Sequence, residues 1–194
     1  GLIHELVGDA TFGSLHLPFY AVAYDLNRGR DVILGKGNLG TALHASSAIP
    51  GVFEPVRRGK YVLVDGAVDQ EIPTRTARDL GAAPNIAVNV CADFSAEIGS
   101  SAAEIMARVG RARLASLRER ELRLADAVIR PEVGHIHWSQ FSRAEEAIEL
   151  GRKAAVEKLP EVQKALGRAR WRRWWGRLGR PEKPHPEIAG LDEC

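Results

Sequence analysis

The sequence is poor in cysteine and has no long hydrophobic run. Only two of its 194 residues are cysteines, Cys91 and Cys194, which supports neither a disulfide framework nor a cysteine zinc site. Its apolar stretches are far shorter than the ~20 residues that span a bilayer. No signal peptide is recognisable at the amino end. These absences argue against a membrane-spanning or disulfide-stabilised protein and favour a reducing, cytoplasmic setting.

The composition is that of an ordinary globular chain, but the charge is unevenly distributed. Hydrophobic residues make up 45% and charged residues 27% of the chain, whose length suits one domain. Residues 164–183 hold eight basic side chains against Glu182 alone, so this segment carries +7 and the rest of the chain −5. The chain begins at Gly1 without a methionine, and we interpret it as a piece of a longer protein.

Apolar and amphipathic segments alternate along the chain, which predicts an α/β layered domain. The predicted strands span 19–26, 31–34, 61–64, 86–90 and 127–129, the fourth of them buried on both faces. The predicted helices span 41–48, 74–80, 101–125 and 142–159, with a further helix starting at Pro160. Ser142 and Glu145 have the spacing of a capping box. Residues 181–194 are expected to pass from order into disorder.

One carboxylate lies where α/β proteins place their ligands. Asp65 directly follows the apolar strand Tyr61–Val64, and Gly66 lets the backbone turn away without a side chain. An aspartate in this position can act as a general base toward a hydroxyl nucleophile. By itself, however, an Asp-Gly pair is mostly a turn signal.

The residues around Asp65 resemble a known family. Residues 45–53 (ASSAIPGVF), a charged turn and residues 63–68 (LVDGAV) are similar to the helix-and-turn and D-G-A/G motifs of patatin-like phospholipases, especially bacterial members related to neuropathy target esterase. Residues 73–81, 86–90, 125–131 and 141–151 resemble later parts of the same domain, in the same order. The resemblance covers about residues 10–166.

The resemblance implies a fold and a chemistry. It implies a three-layer α/β/α sandwich, here without its N-terminal part, with residues 1–166 as the catalytic-domain portion and 167–194 as a basic tail. It implies hydrolysis of phospholipid, lysophospholipid or related acyl esters by a Ser–Asp dyad, as in lipid degradation, without a cofactor or metal. Asp65 would be the proton acceptor, and Gly66 and Ala67 would complete the motif.

The sequence departs from the family at the nucleophile. None of its nine serines lies in a G-x-S-x-G elbow, and the Gly-rich oxyanion loop is absent as well. In this family both precede the matched region. We therefore expect the 194-residue chain alone to be inactive and poorly stable. The alternative is a degenerate patatin-like chain that serves as a binding or interaction module.

Other reactive side chains have ordinary structural interpretations. Ser46 and Ser47 match a helix in which the family uses serines for packing and local hydrogen bonds. The six histidines show no metal-ligand spacing, and Cys91, after a core strand, is expected to be buried.

The basic segment 168–180 (RARWRRWWGRLGR) contains three tryptophans, Trp171, Trp174 and Trp175. Indole rings favour the lipid headgroup region and arginine pairs with lipid phosphate, so this segment predicts peripheral membrane contact. A solvated basic tail is the next interpretation, and no nucleic-acid partner is expected. The segment lies outside the family resemblance, which therefore does not support this role.

Overall fold

The computed structural model describes residues 2–91, 101–137, 139–176 and 186–191. The strands are β1 Ala21–Asp25, β2 Arg30–Lys36, β3 Val56–Arg58, β4 Tyr61–Asp65, β5 Ile86–Val88, β6 Ala127–Ile129 and β7 Ile188–Gly190. The helices are α1 Leu2–Val7, α2 Leu39–Ser46, α3 Thr74–Asp79, α4 Ala102–Leu122 and α5 Ala144–Gly176. Short 3-10 turns lie at Phe12–Ser14, Gly66–Val68 and Phe141–Arg143. This mixture of helices and strands is the predicted α/β class.

The chain divides into two units. The first comprises residues 1–73 and 185–194, and the second comprises residues 74–184. Each is described by itself below.

The first unit contains a five-stranded sheet in the order β3-β4-β1-β2-β7. The β1–β2, β1–β4 and β3–β4 pairs are antiparallel, and β7 pairs parallel with β2. The predicted hairpin is therefore confirmed, with Ala23 of β1 opposite Val32 of β2. Ala23, Leu34 and Leu63 are fully buried, and together with Ala42 and Ala45 of α2 they belong to one core cluster. The small side chains of α2 bring its backbone close to the sheet.

A buried carboxylate closes the turn end of the β1–β2 hairpin. Asp25 is fully buried, and its Oδ1 accepts hydrogen bonds from the backbone N–H groups of Asn27 (3.1 Å) and Val62 (3.2 Å). The Arg28 guanidinium lies 3.6 Å from Oδ2. A buried charge needs such partners. Because they come from the hairpin turn and from β4, Asp25 holds the hairpin against β4. Gly29 has φ +63°, which a glycine adopts without strain.

The second unit is built on a parallel β5–β6 pair, with α5 in contact with β6. Buried polar groups join its segments. The Thr74 hydroxyl donates to the Glu121 carbonyl (2.6 Å), and the Glu121 carboxylate accepts the Arg75 N–H (2.8 Å). The Asn85 amide donates to the Thr74 carbonyl (2.8 Å). These bonds attach α3 to the end of α4 and to the start of β5.

The structure corrects the prediction that strand 86–90 is buried on both faces. Ile86 and Val88 are exposed, and Ala87 between them is buried. In the described part of the chain β5 pairs with β6, and successive side chains of a strand point to opposite faces, so one face is covered and the other is open.

The predicted helix boundaries around residues 142–160 are also wrong. Ser142 lies in a 3-10 turn, and α5 begins only at Ala144, so Ser142 does not cap it. The helix then continues through Pro160 rather than ending before it. Proline in a helix interior costs about 3 kcal/mol, but the Ala, Glu, Lys, Leu and Arg residues on both sides favour helix strongly enough to offset that cost.

The prediction of a disordered exit is wrong for residues 188–191. Ile188–Gly190 forms β7 on the edge of the first unit's sheet, and Leu191 is only 2% exposed within the core cluster. The other residues of the predicted exit, apart from 186 and 187, lie outside the described ranges. Three residues are too few to show a strand pattern in sequence, so the pairing with β2 was not predictable.

Because Leu191 belongs to the core, Leu191→Ala should lower the free energy of unfolding by about 2–5 kcal/mol, the usual cost of deleting a buried leucine side chain. Urea unfolding measures this change. The matched control is Leu26→Ala, at an exposed turn position of the same unit, which should change stability by about 0.5 kcal/mol or less. Equal, small effects of both substitutions would contradict the assignment of Leu191 to the core.

Candidate active site

Asp65 is the last residue of β4, and two elements of the first unit hold its backbone. It lies opposite Ala23 in the antiparallel pairing with β1. Its backbone N–H donates to the carbonyl of Ala48 (3.0 Å), just after α2. The carboxyl group therefore lies at the end of a buried strand, with its backbone fixed by β1 and by the turn after α2.

The Asp65 side chain also organises the turn that follows. Its Oδ1 accepts the backbone N–H of Ala67 (2.8 Å), which caps the 3-10 turn Gly66–Val68. The carboxyl is half-buried, and this burial raises the pKa of Asp65 above its ordinary value. The Ala67 hydrogen bond works in the opposite direction, and the nearby Glu71 carboxylate raises the pKa further. A carboxylate with a raised pKa is a stronger base toward a hydroxyl proton.

Gly66 is required by a close approach of two backbone segments. A Cβ atom at this position would lie 2.4 Å from the carbonyl oxygen of Val22 in β1. That oxygen is backbone and cannot swing aside, so any larger residue would push the turn away from β1. The glycine of the motif is thus explained by packing as well as by the turn.

Ser46 contributes to the same junction. Its hydroxyl donates to the Val22 carbonyl (2.8 Å), the oxygen that Gly66 approaches. The Ser47 hydroxyl donates to the Leu43 carbonyl within α2 (2.8 Å). Both serines therefore make the packing and local hydrogen bonds that the sequence predicted for them.

Sequence reasoning missed two residues beside the Asp65 turn. Gln70 is buried; its backbone N–H donates to the Gly66 carbonyl (2.9 Å) and its side-chain amide donates to the Asp31 carboxylate. This links the turn to β2. Glu71 contributes negative charge near Asp65. No recognisable motif marks either residue, because each matters only through where the turn places it.

The remaining reactive side chains do not form a second centre in the described part of the chain. His135 Nε2 lies 2.9 Å from Glu146 Oε1, and His137 Nδ1 lies 2.7 Å from Ser139 Oγ, both on the surface of the second unit. Among the described residues no group of His, Cys, Asp and Glu could hold a metal ion. Cys91 is partly exposed, which corrects its predicted burial.

Related proteins match parts of the chain. An uncharacterized NTE family protein of Mycobacterium tuberculosis and one of Mycobacterium bovis are 34% identical over 88 residues, 45% of this chain and 24% of the relative. A second such protein in Mycobacterium tuberculosis is 27% identical over 167 residues, 72% of this chain and 29% of the relative. The chain thus spans under a third of the length of these relatives. No protein-family model matches it.

Over these segments the chain is similar to NTE family proteins, which are patatin-like proteins related to neuropathy target esterase.

The raised pKa of Asp65 has a consequence for stability. Between the unfolded and folded pKa values the folded chain binds more protons, so the free energy of unfolding falls as the pH rises through that interval. Asp65→Asn removes the ionisation. We expect this variant to be more stable than the unchanged chain at neutral pH. The difference should shrink as the pH falls from the raised pKa toward 3.8, the ordinary pKa of aspartate, and should be largely gone below that pH.

Thermal unfolding across this pH range measures the difference. Asp9→Asn, at an exposed position of the same unit, is the matched control and should change stability little. A stability difference for Asp65→Asn that is independent of pH would contradict the raised pKa.

Proposed function

We propose that this chain carries the base-bearing part of a serine acyl-ester hydrolase that acts on phospholipid, lysophospholipid or related esters. The observation that supports this proposal is the environment of the Asp65 carboxyl group. It is half-buried, its pKa is raised, and it is fixed at the end of β4 within a D-G-A motif. The family of the relatives supports the reaction class. The nucleophilic serine would come from a G-x-S-x-G segment preceding this chain.

The proposed chemistry follows from the orientation of the carboxyl group. Oδ1 of Asp65 is engaged by the Ala67 N–H, and within the described residues Oδ2 takes part in no hydrogen bond. Oδ2 would accept the serine proton as the serine oxygen attacks the ester carbonyl. The proton would then pass to the departing alcohol. Water would hydrolyse the acyl-enzyme by the same route, releasing the fatty acid.

The test is the activity of the polypeptide extended at its amino end to include the G-x-S-x-G serine, measured on p-nitrophenyl acetate. We expect Asp65→Asn to lower kcat/KM at least about a hundredfold, the usual contribution of a general base. Asp9→Asn, an aspartate on the surface of the same unit, should leave activity unchanged.

Three outcomes would contradict the proposal. An extended polypeptide without activity would favour the alternative of a non-catalytic patatin-like binding module. Activity that survives in Asp65→Asn would show that another group takes the proton. Activity in the 194-residue chain by itself would place the nucleophile within it.

We also propose that the tryptophan- and arginine-rich end of α5 contacts a membrane surface. The structure continues α5 as a helix through Gly176. Positions 174 and 175 follow position 171 by three and four residues, the spacing at which helix positions share one face. Within the described ranges no helix is long and apolar enough to cross a bilayer.

Replacing Trp171, Trp174 and Trp175 together with alanine should reduce pelleting with anionic vesicles several-fold, because indoles supply interfacial affinity. Substitution is preferable to deleting residues 168–194, which would also remove β7. The control replaces Ile148, Val156 and Leu159, exposed apolar residues earlier on α5, with alanine. Unchanged pelleting of the tryptophan variant would refute membrane contact through this segment.

A further inference from the structure

Gln70 is a buried polar side chain beside the candidate base, and the proposed chemistry does not use it. It is only 5% exposed. Its backbone N–H donates to the Gly66 carbonyl (2.9 Å), which closes the turn that follows Asp65. Its side-chain amide donates to the Asp31 carboxylate in β2. A buried amide is costly without a hydrogen bond, so the bond to Asp31 determines where the Gln70 side chain lies.

The Asp31 carboxylate lies on the face of the sheet against which this turn packs. Asp31 of β2 is opposite Tyr24 of β1, and Val22 is two residues from Tyr24. Successive side chains of a strand alternate between faces, so Val22 and Asp31 share one face, the one opposite to the core cluster. A Cβ atom at Gly66 would lie 3.3 Å from Cγ1 of Val22, which places the turn against the same face.

The turn is therefore attached to the sheet at both of its ends. At its start, Gly66 fits against the Val22 carbonyl of β1, and at its end the side chain of Gln70 is bonded to β2. Between these two attachments lies the Ala67 N–H, which donates to Oδ1 of Asp65. Loss of the second attachment would leave the position of this donor, and with it the orientation of the carboxylate, dependent on the first alone.

We propose that Gln70 is a positioning residue for the ester hydrolysis, which through its bond to Asp31 holds the turn so that Oδ2 of Asp65 faces the serine proton. This inference rests on the proposed function, which makes Asp65 the proton acceptor. Gln70 acts through the turn and through Asp65, so it should affect the chemical step and not the binding of substrate.

The first test is Gln70→Leu in the extended polypeptide, assayed on p-nitrophenyl acetate. Leucine resembles glutamine in size but has no amide to donate to Asp31. Because a displacement of 1 Å at a reacting group can cost about a hundredfold in rate, we expect kcat to fall about tenfold or more. KM should stay within about twofold, since the lost interaction orients the base.

A rescue variant separates the hydrogen bond from the size of the side chain. Gln70→Glu alone places two carboxylates together and should also lower kcat about tenfold or more, because like charges repel. Combining Gln70→Glu with Asp31→Asn restores a donor and an acceptor in the reverse direction and leaves the total charge unchanged. This double variant should recover most of the lost kcat.

Two controls separate positioning from general effects. Gln163→Leu makes the same substitution at an exposed position of α5 and should leave kcat unchanged. Leu191→Ala removes a core side chain of the same unit without altering the turn. It should lower thermal stability but leave kcat unchanged at a temperature at which the variants remain folded.

Hydrogen exchange in the 194-residue chain gives a readout that requires no nucleophile. Gln70→Leu should raise the exchange rate of the Ala67 amide about tenfold relative to that of the Leu26 amide, because a less restrained turn opens more often. The Leu26 N–H donates to the Val62 carbonyl (2.9 Å) at the other end of β1, so a general loss of stability would raise both rates alike.

The outcomes distinguish this proposal from the one on which it rests. Activity that survives Asp65→Asn refutes the proposed function. If Asp65→Asn is inactive while Gln70→Leu keeps its kcat, only the positioning role is overturned. If Gln70→Leu does not fold, Gln70→Glu and its combination with Asp31→Asn decide, and equal kcat values in these two variants would overturn the role of the hydrogen bond.

Discussion

The contact of β1 with the end of β4 is the constraint on which the candidate site depends. The Val22 carbonyl oxygen accepts a hydrogen bond from the Ser46 hydroxyl. It also lies so close to Gly66 that no side chain fits between them. Helix α2, strand β1 and the Asp65 turn therefore meet at one backbone oxygen. A displacement of any of the three would move the Asp65 carboxyl, since its backbone is bonded to the turn after α2.

This junction keeps a carboxyl group in an environment that does not favour its charge. Burial and the Glu71 carboxylate raise the pKa of Asp65, and only the Ala67 N–H opposes them. Asp25, at the other end of β1, is fully buried and has two backbone N–H donors and a guanidinium nearby, which suits a structural role. The weaker support of the Asp65 carboxylate fits its proposed role as proton acceptor, since functional sites commonly trade stability for function.

Helix α2 serves both the core and the candidate site. Its small residues Ala42 and Ala45 face the core, where they permit close packing against the sheet. Its last residue, Ser46, contributes to the junction at Val22. A short helix thus serves packing and positioning with different side chains.

Local patterns in the sequence were sufficient for the α/β class, the β1–β2 hairpin, helices α2 to α4 and the position of Asp65 after a buried strand. These features depend on residues close together in the chain, such as the Asn27–Gly29 turn and the regularly spaced apolar residues of α4. The roles of Gln70, Glu71 and Asp25 were not predictable, because their partners lie elsewhere in the fold or carry no motif. Strand β7 and the uninterrupted α5 likewise escaped local reasoning. Three residues become a strand only by pairing with β2, and Pro160 stays helical only because its neighbours offset its cost.

The sequence by itself determined which residue is the candidate base. Tertiary structure alone decided its raised pKa and the close approach of Gly66 to Val22, because burial and proximity arise only when distant segments pack together.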